Sequence, residues 1–407
     1  MHPRITKYAL ILGAALFVST ACAAEEDPAP VDDTAGEGHG AVANAAELAE
    51  PQLGLTWVDP AGAVSHLDLL DETVTSIATV AAPQAMSTDG RYLFVQTENG
   101  VDIVDSGVWT WDHVDHFHYY RAEPRLIGTV EGEGAATVAT SNLSTSGGTG
   151  VFFADSGEAV LLDTEALSNG EISEKFRTVT DRGAGMVVPV GSFALVREGT
   201  GASASVAGYT ADGERTGFVQ PCPDAEGTIT TRVGAVVGCA DGALLASSTD
   251  DTLTVDKIPY PDGTIAPAAT SFDNREGRPT VAGLAGDQGI WMLDTREQSW
   301  TLLPAPAPLA SVSAVDDADQ HLLALTMDGR VLVLDGADGS IISETKPLVA
   351  ESLTAGGEPV LVADQQRAYL SAPAERKLYE IDFADGGRVA RTFDTTTAPA
   401  FTAETGR

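Results

Sequence analysis

From about residue 53 onward, apolar residues come in short runs rather than in helical stripes. One phrase keeps returning: an apolar run, a polar turn with Gly or Asp, and a second apolar run that ends near Asp. Copies span 53–70, 86–106, 148–164 and 186–198, then 231–248, 279–295, 321–345 and 359–382. The turns Asp89-Gly90, Asp241-Gly242 and Asp328-Gly329 each join two apolar runs, the strongest local signal for a β-hairpin. Only 71–82 and 164–173 approach helical periodicity, and both are short.

The phrase returns every 40–55 residues or so, roughly the spacing of four-stranded propeller blades. A single blade leaves its sheet faces bare, whereas blades stacked in a ring cover them. The pattern therefore predicts an all-β fold, a β-propeller over residues 51–400 whose first or last strands close the ring. At roughly 45–50 residues per blade, seven blades are favoured and eight are possible. The 42 glycines and 21 prolines suit so many turns.

Charge narrows the function. With 59 acidic against 23 basic residues the net charge is −36, which repels phosphate backbones and anionic lipid surfaces. Nucleic acid is excluded as a partner. A chain that is 43% hydrophobic also has enough apolar surface to fold, and we expect a monomer.

The first residues read as an export signal. His2, Arg4 and Lys7 precede an apolar run over 8–18 and then Ser19-Thr20-Ala21-Cys22-Ala23. The run falls short of the roughly 20 residues that cross a bilayer as a helix. Thr20-Ala21-Cys22 resembles the end of a bacterial lipobox, with Cys22 as the lipid-bearing residue, although Ser19 stands where a Leu-like residue is usual. Cleavage after Ala23 is the alternative. Residues 1–22 are thus read as a leader and 23–50 as a disordered acidic tether. Contact with a membrane is expected only through this anchor, and the location is extracytoplasmic, periplasmic or at the cell surface. In such an oxidising compartment Cys222 and Cys239 form an expected disulfide.

The chemistry concentrates in one place. Three of the seven histidines fall within Trp111-Asp112-His113-Val114-Asp115-His116-Phe117-His118-Tyr119-Tyr120. If 116–120 is extended, His116 and His118 share one face. His113 is out of phase, so a turn between 113 and 116 is needed before three imidazoles can converge. Three neutral imidazoles with one carboxylate or water suit tetrahedral Zn²⁺. Asp115 is the local candidate for the fourth ligand, a carboxylate from another blade is the alternative, and Asp112 could orient an imidazole. His66 and His321, alone on strand-like segments, read as structural, and His39 lies in the tether. The acidic runs Asp316-Asp317-Ala318-Asp319 and Asp250-Asp251 read as solvated turns.

An exported propeller with the run VDSGVWTWDHVDHFHYYRAEPR, Val104 to Arg125, resembles the AztD-type zinc metallochaperones. The resemblance covers the propeller. It implies that His113, His116 and His118 bind zinc and that the metal passes to the solute-binding protein of a zinc ABC transporter. Relatives of this type often carry a histidine-rich N-terminal segment, whereas this tether has His39 and many carboxylates. No Gly-x-Ser-x-Gly elbow or His-Glu-x-x-His helix is present, so the sequence is read as a non-enzyme. The alternatives are a zinc-dependent propeller hydrolase or lyase and a metal-free interaction propeller.

Overall fold

The computed structural model describes residues 40–112 and 116–407. The leader at 1–22, with Cys22, and His39 in the tether lie outside the described residues, as do His113 and Asp115. No helix among the described residues is long and apolar enough to cross a membrane.

Each copy of the repeated phrase falls within one antiparallel sheet and in most supplies its middle strands, while the copy at 186–198 supplies the first two strands of its blade. Blade 1 is ordered Phe401–Thr405, Gly54–Val58, Ala63–Asp68, Val74–Thr79, so the last strand of the chain is its first strand in space. The pairing runs from Gly54↔Thr405 to Val58↔Phe401 and closes the ring. Blade 2 is ordered Ala85–Thr88, Tyr92–Thr97, Gly100–Asp105, Arg125–Glu131. Blades 3, 4 and 5 follow over 136–179, 187–221 and 228–259, and blades 7 and 8 over 309–344 and 361–394.

Blade 6 has three full strands, Thr280–Leu284, Ile290–Asp294 and Ser299–Leu303. Its inner place is taken by Asp273 and Asn274, which bridge Ala282 of the same blade and Ala314 of the next. The described residues therefore form eight blades, one for each copy of the phrase, and not the seven that length division favours. The links at 80–84, 132–135 and 304–308 are short, so each blade uses less chain than assumed.

Packing explains the uneven patterning. The middle strands touch neighbouring blades on both faces, so Tyr92–Thr97 and His321–Thr326 are buried along their whole length. Outer strands meet solvent on one side, and Thr252–Pro259 alternates accordingly. Eight apolar clusters result, each shared by two successive blades, from Val58, Val64 and Leu93 between blades 1 and 2 round to Leu55, Trp57 and Tyr369 between blades 8 and 1. Of the two stretches nearest to helical periodicity, one becomes the strand Val74–Thr79 and the other the five-residue helix Thr164–Ser168. Cys222, just after the last strand of blade 4, is disulfide-bonded to Cys239 in blade 5.

Candidate functional site

Between the third and fourth strands of blade 2 the chain departs from the repeat and builds a further hairpin, Val108–Asp112 with Phe117–Arg121. A buried ion pair holds its root. Arg91 Nε and Nη2 donate to the two carboxylate oxygens of Asp105, at 3.0 and 2.8 Å, and both side chains are 1% exposed. The guanidinium carbon lies 3.7 Å from the centre of the Trp109 ring, which stacks on Tyr120 at 5.3 Å. Tyr120 in turn lies nearly parallel to His118, 6.3 Å away. A column of flat groups thus runs from the blade to an imidazole, restricting the ring in a way that an isolated loop would not.

At the tip, the strand alternation puts His116 and His118 on one side, while Phe117 is 54% exposed. The two Nε2 atoms are 3.0 Å apart. In a tetrahedral zinc shell with nitrogen–metal bonds near 2.0–2.1 Å, two ligand nitrogens sit about 3.3 Å apart. The pair therefore already has close to the separation of one edge of such a shell. His118 Nδ1 is 2.7 Å from Glu47 Oε1. With the Nδ1 proton donated to that carboxylate, the Nε2 of His118 presents its lone pair toward His116.

Glu47 arrives on a third strand, Ala46–Leu48, which pairs along the hairpin as Ala46↔Arg121, Glu47↔Tyr120 and Leu48↔Tyr119. This corrects the tether boundary: residues 46–48 are ordered sheet, although the sequence assigns 23–50 to a disordered segment. Three residues with no apolar alternation give no strand signal, and only pairing with the hairpin makes them one. Residue 40 is docked as well. Trp109 Nε1 donates to the Gly40 carbonyl at 3.1 Å, and Trp111 lies so close that a Cβ on Gly40 would fall 2.4 Å from its ring; the positive φ of 76° also suits glycine.

The hairpin leans over the face of the ring. Thr110 Oγ1 donates to the carbonyl of Gly406 at 2.7 Å, and Arg121 pairs with Asp68 of blade 1 at 2.6 Å. Asp112 reaches Arg232 of blade 5, three blades away, at 3.5 Å. Among the described residues, Glu47 thus meets an imidazole, and Asp112 meets an arginine of blade 5. Beneath the hairpin, Gly277 of blade 6 bridges Thr231 of blade 5, and the Gly406 N–H donates to Gly90 O at 2.9 Å. Arg407 pairs there with Asp364 at 3.0 Å and with the buried Glu404.

Of the four expected ligands, the described residues include His116 and His118, whereas His113 and Asp115 lie outside them. Among the described residues no three His, Cys, Asp or Glu side chains group as a metal site. The lone histidines behave as structural groups. His66 is 8% exposed and shares its Nδ1 with Thr56 Oγ1 at 2.8 Å, and burial lowers its pKa to about 4. His321 Nδ1 lies 2.6 Å from Asp317, whose neighbour Asp316 pairs with Arg278 and Arg296. Asp250 and Asp251 form a turn with positive φ.

The fold of the chain matches solved structures. The crystal structure of Citrobacter koseri AztD superposes with a TM-score of 0.73 over 87% of this chain and 98% of its own, at 18% identity. The chain has an AztD-type propeller fold. Apo AztD from the same organism gives a TM-score of 0.72 at 18% identity, with the same coverage of both chains. The dihydro-heme d1 dehydrogenase NirN, in complex with DHE, gives 0.53 at 16% identity over 88% of this chain and 76% of its own. No family model and no curated protein sequence matches. The AztD-type scaffold resembles in outline that of an enzyme, so function has to be argued from the hairpin rather than from the ring.

Proposed function

We propose that this protein is an extracytoplasmic zinc carrier that passes Zn²⁺ to the solute-binding protein of a zinc ABC transporter, as the resemblance to AztD-type metallochaperones implies. One observation carries the reading: on an AztD-type propeller, His116 and His118 aim their Nε2 atoms at one point, 3.0 Å apart. His113 and Asp115, three residues and one residue before His116 in the sequence, are the further ligands we assign. The disulfide and the leader-like N-terminus support an exported protein.

The role we assign is carriage, not turnover. A site on an inserted hairpin is open to an incoming set of ligands, which can replace the imidazoles one at a time. The net charge of −36 draws cations toward the molecule. Protein purified without a histidine tag should carry about one zinc per chain and surrender it to the solute-binding protein in a transfer assay. His116→Ala or His118→Ala should weaken zinc binding by about tenfold or more with the ring still folded. Unchanged stoichiometry and affinity in the His113/His116/His118 triple alanine variant would overturn the assignment.

A further inference from the structure

The geometry points to Glu47 as a positioning residue that sets how tightly the hairpin holds metal, with the short strand Ala46–Leu48 as the latch that brings it in. The inference rests on the zinc reading above and adds a residue from outside the histidine run.

A neutral imidazole has one N–H and one lone pair, and the partner of one nitrogen decides which is which. Glu47 Oε1, 2.7 Å from His118 Nδ1, holds the proton there. That leaves the lone pair of Nε2 facing His116 Nε2 at 3.0 Å, as metal ligation requires. Carboxylates in this position also raise the basicity of the ligand nitrogen, and their loss commonly weakens metal binding by about 10–100-fold.

The carboxylate is delivered by an edge strand of three residues whose pairing ends at Leu48↔Tyr119. Its side chain is 53% exposed, so water competes for the contact. Gly40, held by Trp109 and Trp111, anchors the same segment at a second point. The latch is thus weak where Glu47 sits and firmer upstream, and it can detach locally without freeing the whole segment. Linkage then works both ways: a docked strand favours bound metal, and bound metal favours the docked strand by the same factor.

The test uses the full chain and zinc alone. Glu47→Ala should lower zinc affinity by about 10–100-fold in a competition titration. Glu47→Gln, whose amide oxygen still accepts from Nδ1–H, should lose less. In metal-free protein, ¹⁵N spectra should show the His118 proton on Nδ1 in the wild type and on Nε2 in Glu47→Ala. Zinc should also slow amide exchange at 46–48 in the wild type. Unchanged affinity in Glu47→Ala, with folding verified by circular dichroism, would overturn the inference. So would an affinity loss with the His118 tautomer unaltered, since that would make Glu47 a direct ligand. The tautomer is read without metal, so this result stands apart from failure of the zinc reading itself.

Discussion

Among the single residues, His66 shows how a histidine becomes structural. Its ring lies against Gly54, where an added Cβ would sit 2.2 Å from Cε1, and it bonds Thr56. Burial holds its pKa at about 4, below the 6.5 of a free imidazole. The unfolded chain therefore takes up a proton that the folded protein resists. The stability from this residue is complete above about pH 6.5 and drains away as pH falls toward 4, by which point the loss amounts to about 3 kcal/mol. In urea melts at pH 7 and pH 4.5, His66→Gln should lose less unfolding free energy between the two than the wild type does. Equal losses would count against burial as the cause. The sequence separates His66 and His321 from the histidine run correctly, because isolation on an apolar strand is visible in one dimension. Glu47 was not visible: 71 residues separate it from His118, and its neighbours carry no pattern.

The hairpin is the element that departs from the repeat. Its alternation is readable from 116 to 120, and the sharing of one face by His116 and His118 follows from strand geometry. Its foundation is less readable, since Arg91 and Asp105 belong to different strands and meet only when Tyr92 and Asp105 pair in register. With both charges buried, removal of Arg91 leaves Asp105 with only the more distant, half-exposed Arg125 at 3.8 Å among the described residues, and breaking such a buried pair costs about 3–5 kcal/mol. Arg91→Ala should therefore lower the urea midpoint sharply, and it should disturb the stacked column through Trp109 and Tyr120 toward His118. A shift as small as those of exposed pairs such as Arg232–Asp112 would contradict the buried-pair account.

At the scale of the molecule, stability is shared among eight interfaces between blades and two fastenings. One is the strand Phe401–Thr405 in blade 1, and the other is Cys222–Cys239, which joins blades 4 and 5. A disulfide that closes a loop of 17 residues stabilises by about 3 kcal/mol, mainly by restricting the unfolded chain. The Cys222→Ser/Cys239→Ser double variant should unfold at lower denaturant by that margin, and reductant should shift the wild type to the same midpoint. Because the hairpin is rooted in blade 2 and meets blade 5 through the exposed Asp112–Arg232 pair, the loss should leave zinc binding unaltered.

The sequence by itself determined the all-β class, the eight copies of the blade phrase, the disulfide pair and the adjacency of His116 and His118. All of these follow from local periodicity or from close spacing along the chain. The tertiary structure alone decided the eight-blade ring, the inner place of blade 6, the lean of the hairpin toward blade 5 and the strand that carries Glu47. Each depends on contacts between segments far apart in sequence, and closure of the ring is what brings those segments together.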